Sequence, residues 1–276
     1  MHTTPSEAPD TQPPKITGRD ARIAQLMRAA HRTVPLRHTF VQAVRGSASR
    51  HAPLREFVRG GDLRGLRALL LVMAASGGKD QDGHHVTTHD SMVWARLLDT
   101  DLGVSGQSAR TGAWRVLRRL EDRGLVVCER PRGSTRISVT LLREDGTGAP
   151  YTWPDGQTEA DRFLRLPTAF WTNGHDEAID VPGLAMLLAL AKEKPWSSFP
   201  AEQAPAWYGW SADTQLRGLQ TLVTTGLAER RATYEPAPLS PTGATLVYRY
   251  RLVDWLRPPR GRKQGGDHSS GQAVTR

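Results

Sequence analysis

The spacing of apolar residues along this chain predicts a series of helices and two short pairs of strands. Apolar side chains recur at helical spacing over 19–31 and again over 36–44, with a break at Pro35. Residues 63–76 and 181–192 are apolar on nearly every side of a helix, which is typical of a helix buried in a core. We therefore expect a folded chain with at least two buried helices.

A helix that runs into a hairpin is the clearest local pattern in the chain. Ser105 and Ser108 are both suited to cap the start of this helix, and Gly124 is suited to end it. At 100° per residue, one side of the helix is apolar and is formed by Ala113, Val116, Leu117 and Leu120, with Trp114 on its flank. Two strands are expected at 125–129 and 135–141, joined by a turn that contains Pro and Gly.

The opposite side of this helix carries side chains that can bind DNA. Arg forms paired hydrogen bonds with guanine, Gln does so with adenine, and Ser or Thr can bind several base edges. We predict that bases are contacted by Gln107, Ser108, Thr111 and Arg115. We predict that phosphates are contacted from the helix and the hairpin by Arg118, Arg119, Arg130, Arg132 and Arg136. Residues 105–140 contain eight Arg against three acidic residues, a local charge of +5, which suits a polyanionic partner.

This order of elements resembles the winged helix-turn-helix superfamily. The resemblance rests on the arginine-rich helix, the Gly124-Leu125 step after it and a hairpin with Arg at its tip. It implies a recognition helix that enters the major groove of DNA and a basic wing that touches the neighbouring backbone. It also implies a first helix over 63–76 and a short second helix capped by Thr88 or Asp90.

A second copy of the same pattern follows later in the chain. The residues that align at an offset of 102 are Leu117, Leu120, Gly124 and Leu125 with Leu219, Leu222, Gly226 and Leu227. A repeat of this length indicates two copies of one domain. The helix of the second copy has far fewer Arg, and the hairpin loop that follows it, at 235–245, is nearly neutral. Its candidate base-contacting residues are Thr214, Arg217 and Thr221. The second copy is therefore expected either to contact bases, or to form a homodimer or bind another protein.

From these patterns we predict a mainly α fold with small β-hairpins, of the α+β class, with two tandem winged-helix domains and a helical, basic N-terminal extension. The predicted boundaries are 1–18 disordered, 19–60 basic extension, 61–145 first domain, 146–161 linker, 162–256 second domain and 257–276 basic disordered tail. The extension is expected either to contact phosphates or to pack as a lid with its arginines outward. These arginines are Arg19, Arg22, Arg28, Arg32, Arg37, Arg45, Arg50 and Arg55.

Composition narrows the classes of function. The chain of 276 residues has a formal charge of +9 and one cysteine, Cys128, which excludes an internal disulfide and a Cys-based zinc cluster. The pattern predicts neither a membrane span nor a secretory leader, so we expect a cytoplasmic, nucleoid-associated protein with no membrane partner. Without clustered metal ligands, a phosphate-binding loop or an activated nucleophile, we expect no metal, no cofactor and no enzymatic activity. One group of aromatic residues is expected to lie mainly in a core rather than to line a pocket: Trp196, Phe199, Trp207, Tyr208 and Trp210.

Sequence-specific binding to double-stranded DNA is the function that these features favour. A transcriptional regulator is the first expectation, with the 105–140 unit contacting an operator. The alternative is a replication initiator similar to those of iteron-bearing plasmids, a resemblance that covers architecture and size only. A third possibility is an adaptor that uses winged folds for protein contacts. A paired site near a promoter would indicate a regulator, and direct repeats beside an A·T-rich region would indicate an initiator.

Overall fold

A computed structural model describes residues 15–29, 31–76 and 83–257. The protein is a mixed α and β fold in which the strands form small antiparallel sheets. This agrees with the predicted α+β class. Most of the expected disordered start, most of the expected basic tail and much of the loop before residue 83 lie outside the described residues.

The described chain begins with a helix, a strand and two more helices. These are α1 (Gly18–Met27), β1 (Thr33–Arg37), α2 (His38–Val41) and α3 (Leu54–Arg59). The helix predicted over 36–44 is wrong, because Leu36 and Arg37 belong to β1 and only four residues after them are helical. Pro35 explains the difference, since proline has no amide N–H to donate and disfavours a helical residue before it.

The first half of the chain continues with a helix, a strand, two helices and a hairpin. These elements are α4 (Leu63–Ala75), β2 (Val86–Asp90), α5 (Ser91–Leu97), α6 (Gly106–Asp122), β3 (Val126–Glu129) and β4 (Arg136–Leu141). Their strands form one sheet in the order β2-β4-β3. Strand β2 was not predicted from the sequence. It forms because each of its residues pairs with β4, from Val86 opposite Thr140 to Asp90 opposite Arg136.

The second half repeats this order of elements. It consists of β5 (Phe163–Pro167), α7 (Ala169–Thr172), α8 (His175–Ala178), α9 (Val181–Lys192), β6 (Ser197–Ser198), α10 (Ala204–Tyr208), α11 (Ala212–Thr224), β7 (Ala228–Pro236) and β8 (Ala244–Leu252). Single 3-10 turns precede α10 and follow β8. The strands after β5 form a sheet in the order β6-β8-β7, which corresponds to β2-β4-β3 of the first half. Both halves therefore have the same topology.

Aligned residues of the two halves have the same backbone conformation. Gly124 and Gly226 follow α6 and α11 with φ angles of 67° and 70°, a left-handed conformation that favours glycine. The amide of the residue after each glycine donates to the carbonyl oxygen five residues before it, at 3.1 Å in the first half and 2.8 Å in the second. Residues aligned at an offset of 102 thus occupy equivalent positions.

Strands β1 and β5 join the two halves as an antiparallel pair. At its centre Pro35 lies opposite Arg165, 130 positions later. An antiparallel pair of strands has a local two-fold axis through its centre, which here passes between Pro35 and Arg165. This axis relates each residue of β1 to the residue of β5 that lies 130 positions later in the chain. Phe40 and Phe170 are also 130 positions apart, and both are fully buried. The segment expected as a separate extension is therefore part of the junction between the halves.

The apolar core is continuous through both halves of the chain. Helices α4 and α9 contribute its most deeply buried runs, and α9 packs against α2 and α3 of the first half. Within the described residues, no helix combines the length and the apolar content needed to cross a lipid bilayer.

Arg22 on α1 is buried in a cluster of carboxylates. Its guanidinium lies 2.7 Å from Asp99, 3.1 Å from Asp176 and 2.5 Å from Glu177. Asp99 follows α5 of the first half, whereas the other two acids belong to α8 of the second half. Arg22 therefore holds the two halves together, and its expected roles as a phosphate contact or an outward-facing arginine are both wrong.

Arg37, at the end of β1, is also buried and has a partner for every side-chain nitrogen. Nη1 donates to Glu144 at 3.0 Å, Nε donates to Asp161 at 2.6 Å, and Nη2 donates to the carbonyl oxygen of Thr152 at 2.8 Å. The backbone amide of Arg37 donates to Glu144 at 2.9 Å. Arg37 is therefore unavailable to phosphates, and the segment predicted as a linker over 146–161 is held against β1.

Helices α9 and α11 approach each other closely at a glycine. A β-carbon on Gly218 would lie 2.3 Å from the carbonyl oxygen of Pro182 and 2.6 Å from Cγ of Met186. We expect Gly218→Ala to lower the free energy of unfolding by about 1–3 kcal/mol, because the added methyl group pushes the helices apart. Urea denaturation followed by circular dichroism measures this loss.

Gly106→Ala is the matched control for this substitution. Gly106 lies in the first turn of α6, where an added β-carbon meets no atom within 4 Å. The free energy of unfolding should stay unchanged or rise by up to about 1 kcal/mol, since alanine favours helix. Equal losses in the two variants would contradict the close approach of α9 and α11.

Candidate nucleic-acid interface

Helix α6 has the buried and exposed sides that its sequence predicts. The Ser105 side chain accepts a hydrogen bond from the amide of Ser108 at 3.3 Å and caps the helix. Gln107 and Ser108 are exposed, and the half-buried Thr111 donates its hydroxyl to the carbonyl oxygen of Gln107 at 3.0 Å. The buried side consists of Ala109, Ala113, Val116, Leu117 and Leu120. The first turn of α6 therefore presents polar groups to solvent.

Arg115 lies further along the exposed side of α6. Its side chain has no hydrogen-bond or ion-pair partner among the residues that the structure describes. Arg118, which is also exposed, pairs with Glu121 and lies 5.8 Å from the ring centroid of Trp114. Arg115 can therefore bind a ligand without breaking an existing contact, whereas Arg118 must first leave Glu121.

Arg119 packs α6 against the start of α4. Arg119 and Arg123 bind Asp62, the N-cap residue of α4, at 2.9 Å and 2.7 Å. Burial alone would raise the pKa of Asp62, but the hydrogen bonds from Arg119 and Arg123 outweigh it and lower this pKa to about 2. Arg119 was predicted to contact phosphate, and the structure instead gives it a partner within the chain.

The hairpin of β3 and β4 carries arginines at its tip. Residues 130–136 include Arg130, Arg132 and Arg136 and no acidic residue, and all three arginines are exposed. Nε of Arg130 donates to the carbonyl oxygen of Ser134 at 3.2 Å and thereby closes the turn. The side chains of Arg132 and Arg136 have no partner within the described part of the chain. The hairpin tip is therefore an uncompensated positive surface.

Cys128 in β3 is shielded from solvent. Its thiol lies 3.6 Å from the carbonyl oxygen of Leu117, and burial together with the nearby Glu121 raises its pKa to about 12. Because the thiolate is the reactive form, we expect the native protein to react slowly with a thiol reagent at neutral pH and rapidly once it is unfolded. Thiol titration with and without denaturant checks this, and fast reaction of the native protein would mean that the hairpin opens.

Arg217 is the counterpart of Arg115 in the second half. It follows Arg115 by 102 positions and is also exposed on its helix, α11. Within the described ranges, its side chain has no hydrogen-bond or ion-pair partner either. The two halves thus each present one unpaired arginine at the same position of the same helix.

The two threonines predicted to contact bases with Arg217 have partners inside the chain. Thr221 of α11 packs against the start of α9, where its Cγ2 would be 2.8 Å from a β-carbon on Gly183. The hydroxyl of Thr214 is 2.9 Å from that of Ser211, the N-cap residue of α11. Both threonines are half-buried. Of the three predicted residues of α11, the structure therefore places only Arg217 on an open surface.

The second hairpin differs from the first in charge. Arg249 pairs with Glu235, and Arg251 lies 2.8 Å from Glu229, so two of its cations are compensated. The opposite face of the hairpin exposes three large side chains, Tyr234, Leu246 and Tyr248. Two of the four arginines of β7 and β8 are therefore neutralised, and the other face carries exposed apolar side chains.

Sequence reasoning missed two exposed arginines on β7. Arg230 lies 5.0 Å from the ring centroid of Tyr248, and Arg231 lies 4.2 Å from that of Trp196. Their adjacency along a strand places them on opposite faces of the hairpin, and this alternation was visible in the sequence.

Two histidines near the first sheet pack against aromatic rings. His85 lies edge-on to Tyr151, with Nδ1 at 3.2 Å from the carbonyl oxygen of Ser76. His89 packs edge-on against Trp94. Over 15–29, 31–76 and 83–257, no group of three His, Cys, Asp or Glu is placed to hold a metal ion.

No protein-family model, curated protein or solved structure matches this chain. Its function is therefore inferred from the geometry of α6, of the hairpin of β3 and β4, and of α11. These elements share exposed arginines on surfaces that carry few acidic groups.

Proposed function

We propose that this protein binds double-stranded DNA sequence-specifically through two winged-helix units. The order of three helices and a hairpin in each half supports this proposal, since the resemblance implies a first helix, a short second helix, a recognition helix and a hairpin. Strands β2 and β6 are additions to that order. The observation that carries the proposal is the unpaired Arg115 on α6, in the same unit as a hairpin tip with three exposed arginines and no acid. In this proposal α6 is the recognition helix and the hairpin is its wing.

The chemistry of the exposed groups assigns a role to each. The major groove is wide enough for a helix, and Arg115 can form two hydrogen bonds with the edge of a guanine. Gln107 and Ser108 lie at the start of α6, where free amide groups and the helix dipole also attract phosphates. Arg132 and Arg136 would contact the DNA backbone and supply affinity that depends on salt rather than on sequence.

The second unit contributes fewer contacts in this proposal. Arg217 would contact one base position, and the loop of the hairpin beside it, at 235–245, has no basic residue and adds little attraction to phosphate. The preferred site should therefore consist of a strongly specified block bound by α6 and a weaker block bound by α11.

Selection from a randomised duplex pool, with sequencing of the retained fraction, tests the proposal. The wild-type protein should retain a motif with two blocks, Arg115→Ala should lose the preference at one position of the first block, and Arg217→Ala should lose the second block. Arg59→Ala is the matched control, because Arg59 is exposed at the end of α3, outside the proposed interface. If no motif is retained and the protein binds all duplexes weakly, with an affinity that disappears as salt rises, the proposal is refuted.

The arrangement of such sites in natural DNA distinguishes the two biological roles. A paired site near a promoter supports a transcriptional regulator. Several direct repeats beside an A·T-rich region support a replication initiator.

A homodimer formed through the second hairpin is an additional proposal. It is supported by the exposed apolar face of Tyr234, Leu246 and Tyr248, since apolar patches on a surface often mark contacts with other proteins. Light scattering of the wild type and of Tyr234→Ser/Tyr248→Ser checks it. A monomeric wild type would exclude the homodimer and leave DNA binding by a single chain.

A further inference from the structure

An open cleft of about 1350 Å³ lies between the segment that follows β1 and the end of α9. We call it the basic cleft. One side is formed by residues of 38–50, and the other by residues of 192–199 together with Trp207 and Tyr208 from α10. It therefore lies between segments of the two halves. Its six lining cations are Arg45, Arg50, Arg162, Lys192, Lys194 and Arg249.

Most of these cations have no carboxylate to neutralise them. Lys192 pairs with Glu193 at 2.6 Å, and Arg249 pairs with Glu235. The other four have no ion-pair partner in the described part of the chain, and Glu159 is the one remaining acid among the lining residues. The lining has six cations against two acids, Glu159 and Glu193, and a cleft with such an excess of positive charge attracts anions. The expected ligand is therefore an anion.

Arg50 shows an unmet hydrogen-bonding capacity within this lining. Its Nε is buried and has no hydrogen-bond partner. Buried polar groups are nearly always hydrogen-bonded in folded proteins. A bound ligand with an acceptor atom would supply the partner that this donor lacks. Phosphate oxygens are strong acceptors for guanidinium groups.

The cleft also has an aromatic wall held in a fixed conformation. Trp196 has a φ angle of 63°, which is unusual for a bulky residue and typical of positions constrained by their surroundings. Its carbonyl oxygen accepts a hydrogen bond from Arg249 at 3.2 Å, and its ring lies 4.2 Å from the guanidinium of Arg231. The ring of Trp196 is already engaged by Arg231 and Arg251. The half-buried Trp207 has an edge-on contact with Tyr208, at 6.4 Å between ring centroids, and is the tryptophan better suited to stack on a ligand. The aromatic group predicted to be core is thus divided by exposure, because Phe199, Tyr208 and Trp210 are buried whereas Trp196 and Trp207 are half-buried.

We propose that the basic cleft binds a nucleoside phosphate. Its base stacks on Trp207, and its phosphates bind Arg45, Arg50, Arg162 and Lys194. The cleft volume exceeds the usual range of small-molecule pockets, about 300–1,000 Å³, and accommodates a nucleotide. The same chemistry is presented by a free nucleotide and by the phosphorylated end of a single strand. This inference goes beyond duplex binding, because the cleft shares none of its lining residues with α6 or α11.

Calorimetry and intrinsic tryptophan fluorescence of the full chain test the inference. The probes are ATP, a 5′-phosphorylated oligothymidine, and pyrophosphate as the probe without a base. We expect ATP or the oligonucleotide to bind, and to bind at least about tenfold more weakly to Arg45→Glu/Arg162→Glu, which removes two charged contacts. Both arginines are exposed, so this variant should fold. The probe that binds more tightly shows whether the ligand is a free nucleotide or the phosphorylated end of a single strand.

The control Arg115→Ala/Arg132→Ala separates this inference from the proposed function. This control should lose specific duplex binding and keep the wild-type affinity for the nucleoside phosphate. Conversely, Arg45→Glu/Arg162→Glu should keep the duplex motif. The inference is overturned if neither probe binds, if pyrophosphate binds as tightly as both probes, or if Arg45→Glu/Arg162→Glu binds them with wild-type affinity.

Discussion

Replacing Arg37 with alanine should lower the free energy of unfolding by about 3–5 kcal/mol, the range measured when one partner of a buried ion pair is removed. The side chain of Arg37 is almost completely buried and contacts Glu144, which is fully buried, and Asp161. Without the Arg37 side chain, Glu144 loses the hydrogen bond from Nη1 and its compensating charge inside the core, and it keeps only the hydrogen bond from the backbone amide of residue 37. Urea denaturation measures the loss directly.

Two further variants show whether the loss comes from this network. Arg37→Lys keeps the charge, but lysine cannot reach Glu144, Asp161 and Thr152 together. Its free energy of unfolding should therefore lie between those of the wild type and Arg37→Ala. Arg132→Ala removes an exposed arginine from the first hairpin and should change the free energy of unfolding by less than about 0.5 kcal/mol. If Arg37→Ala costs less than about 1 kcal/mol, water must replace the guanidinium, and the segment over 146–161 is not fixed by Arg37.

Replacing Arg115 with alanine should weaken binding to the preferred duplex by about 1–3 kcal/mol, which corresponds to roughly 5- to 150-fold in Kd. The loss should be confined to one base position, because Arg115 is expected to contact a single base edge. Binding to an unrelated duplex should change little. Titration of fluorescent duplexes, one for each base at the selected position, measures this difference.

Arg132→Ala is the matched comparison for this experiment. Arg132 lies at the tip of the hairpin and is expected to contact phosphate, so its removal should weaken binding to all duplexes alike. The slope of log K against log salt should fall by about one unit. An equal loss on every duplex for Arg115→Ala would refute its role in base recognition.

Local patterns predicted much of the proposed interface. Helix α6, its Ser105 cap and the glycine after it were all visible in the sequence, because caps and apolar spacing act within a few residues. The offset of 102 also located Arg217 as the counterpart of Arg115. By contrast, the last two residues of β1 were predicted as the start of a helix and β2 was not predicted, because each of these strands forms by pairing with a strand far along the chain.

The sequence did not predict which arginines have partners within the chain. Arg22, Arg37, Arg115 and Arg119 all lie near helical patterns and look equally suited to bind phosphate. In the structure Arg22 and Arg37 are buried among carboxylates and Arg119 is bound to Asp62, whereas Arg115 is unpaired. The acid that holds Arg37 lies 107 residues away in the chain, a separation at which no periodic pattern operates.

By itself, the sequence determined the main helices, the glycines that follow α6 and α11, the hairpins and the internal repeat. Each of these depends on hydrogen bonds and apolar spacing between residues close in the chain, or on the similarity of two segments. The tertiary structure alone decided which arginines are neutralised, where β1 and β5 join the halves, and that distant basic residues line one cleft. Those outcomes depend on which charges and strands meet in space, and charge compensation, burial and strand pairing act on distance in space rather than on position in the chain.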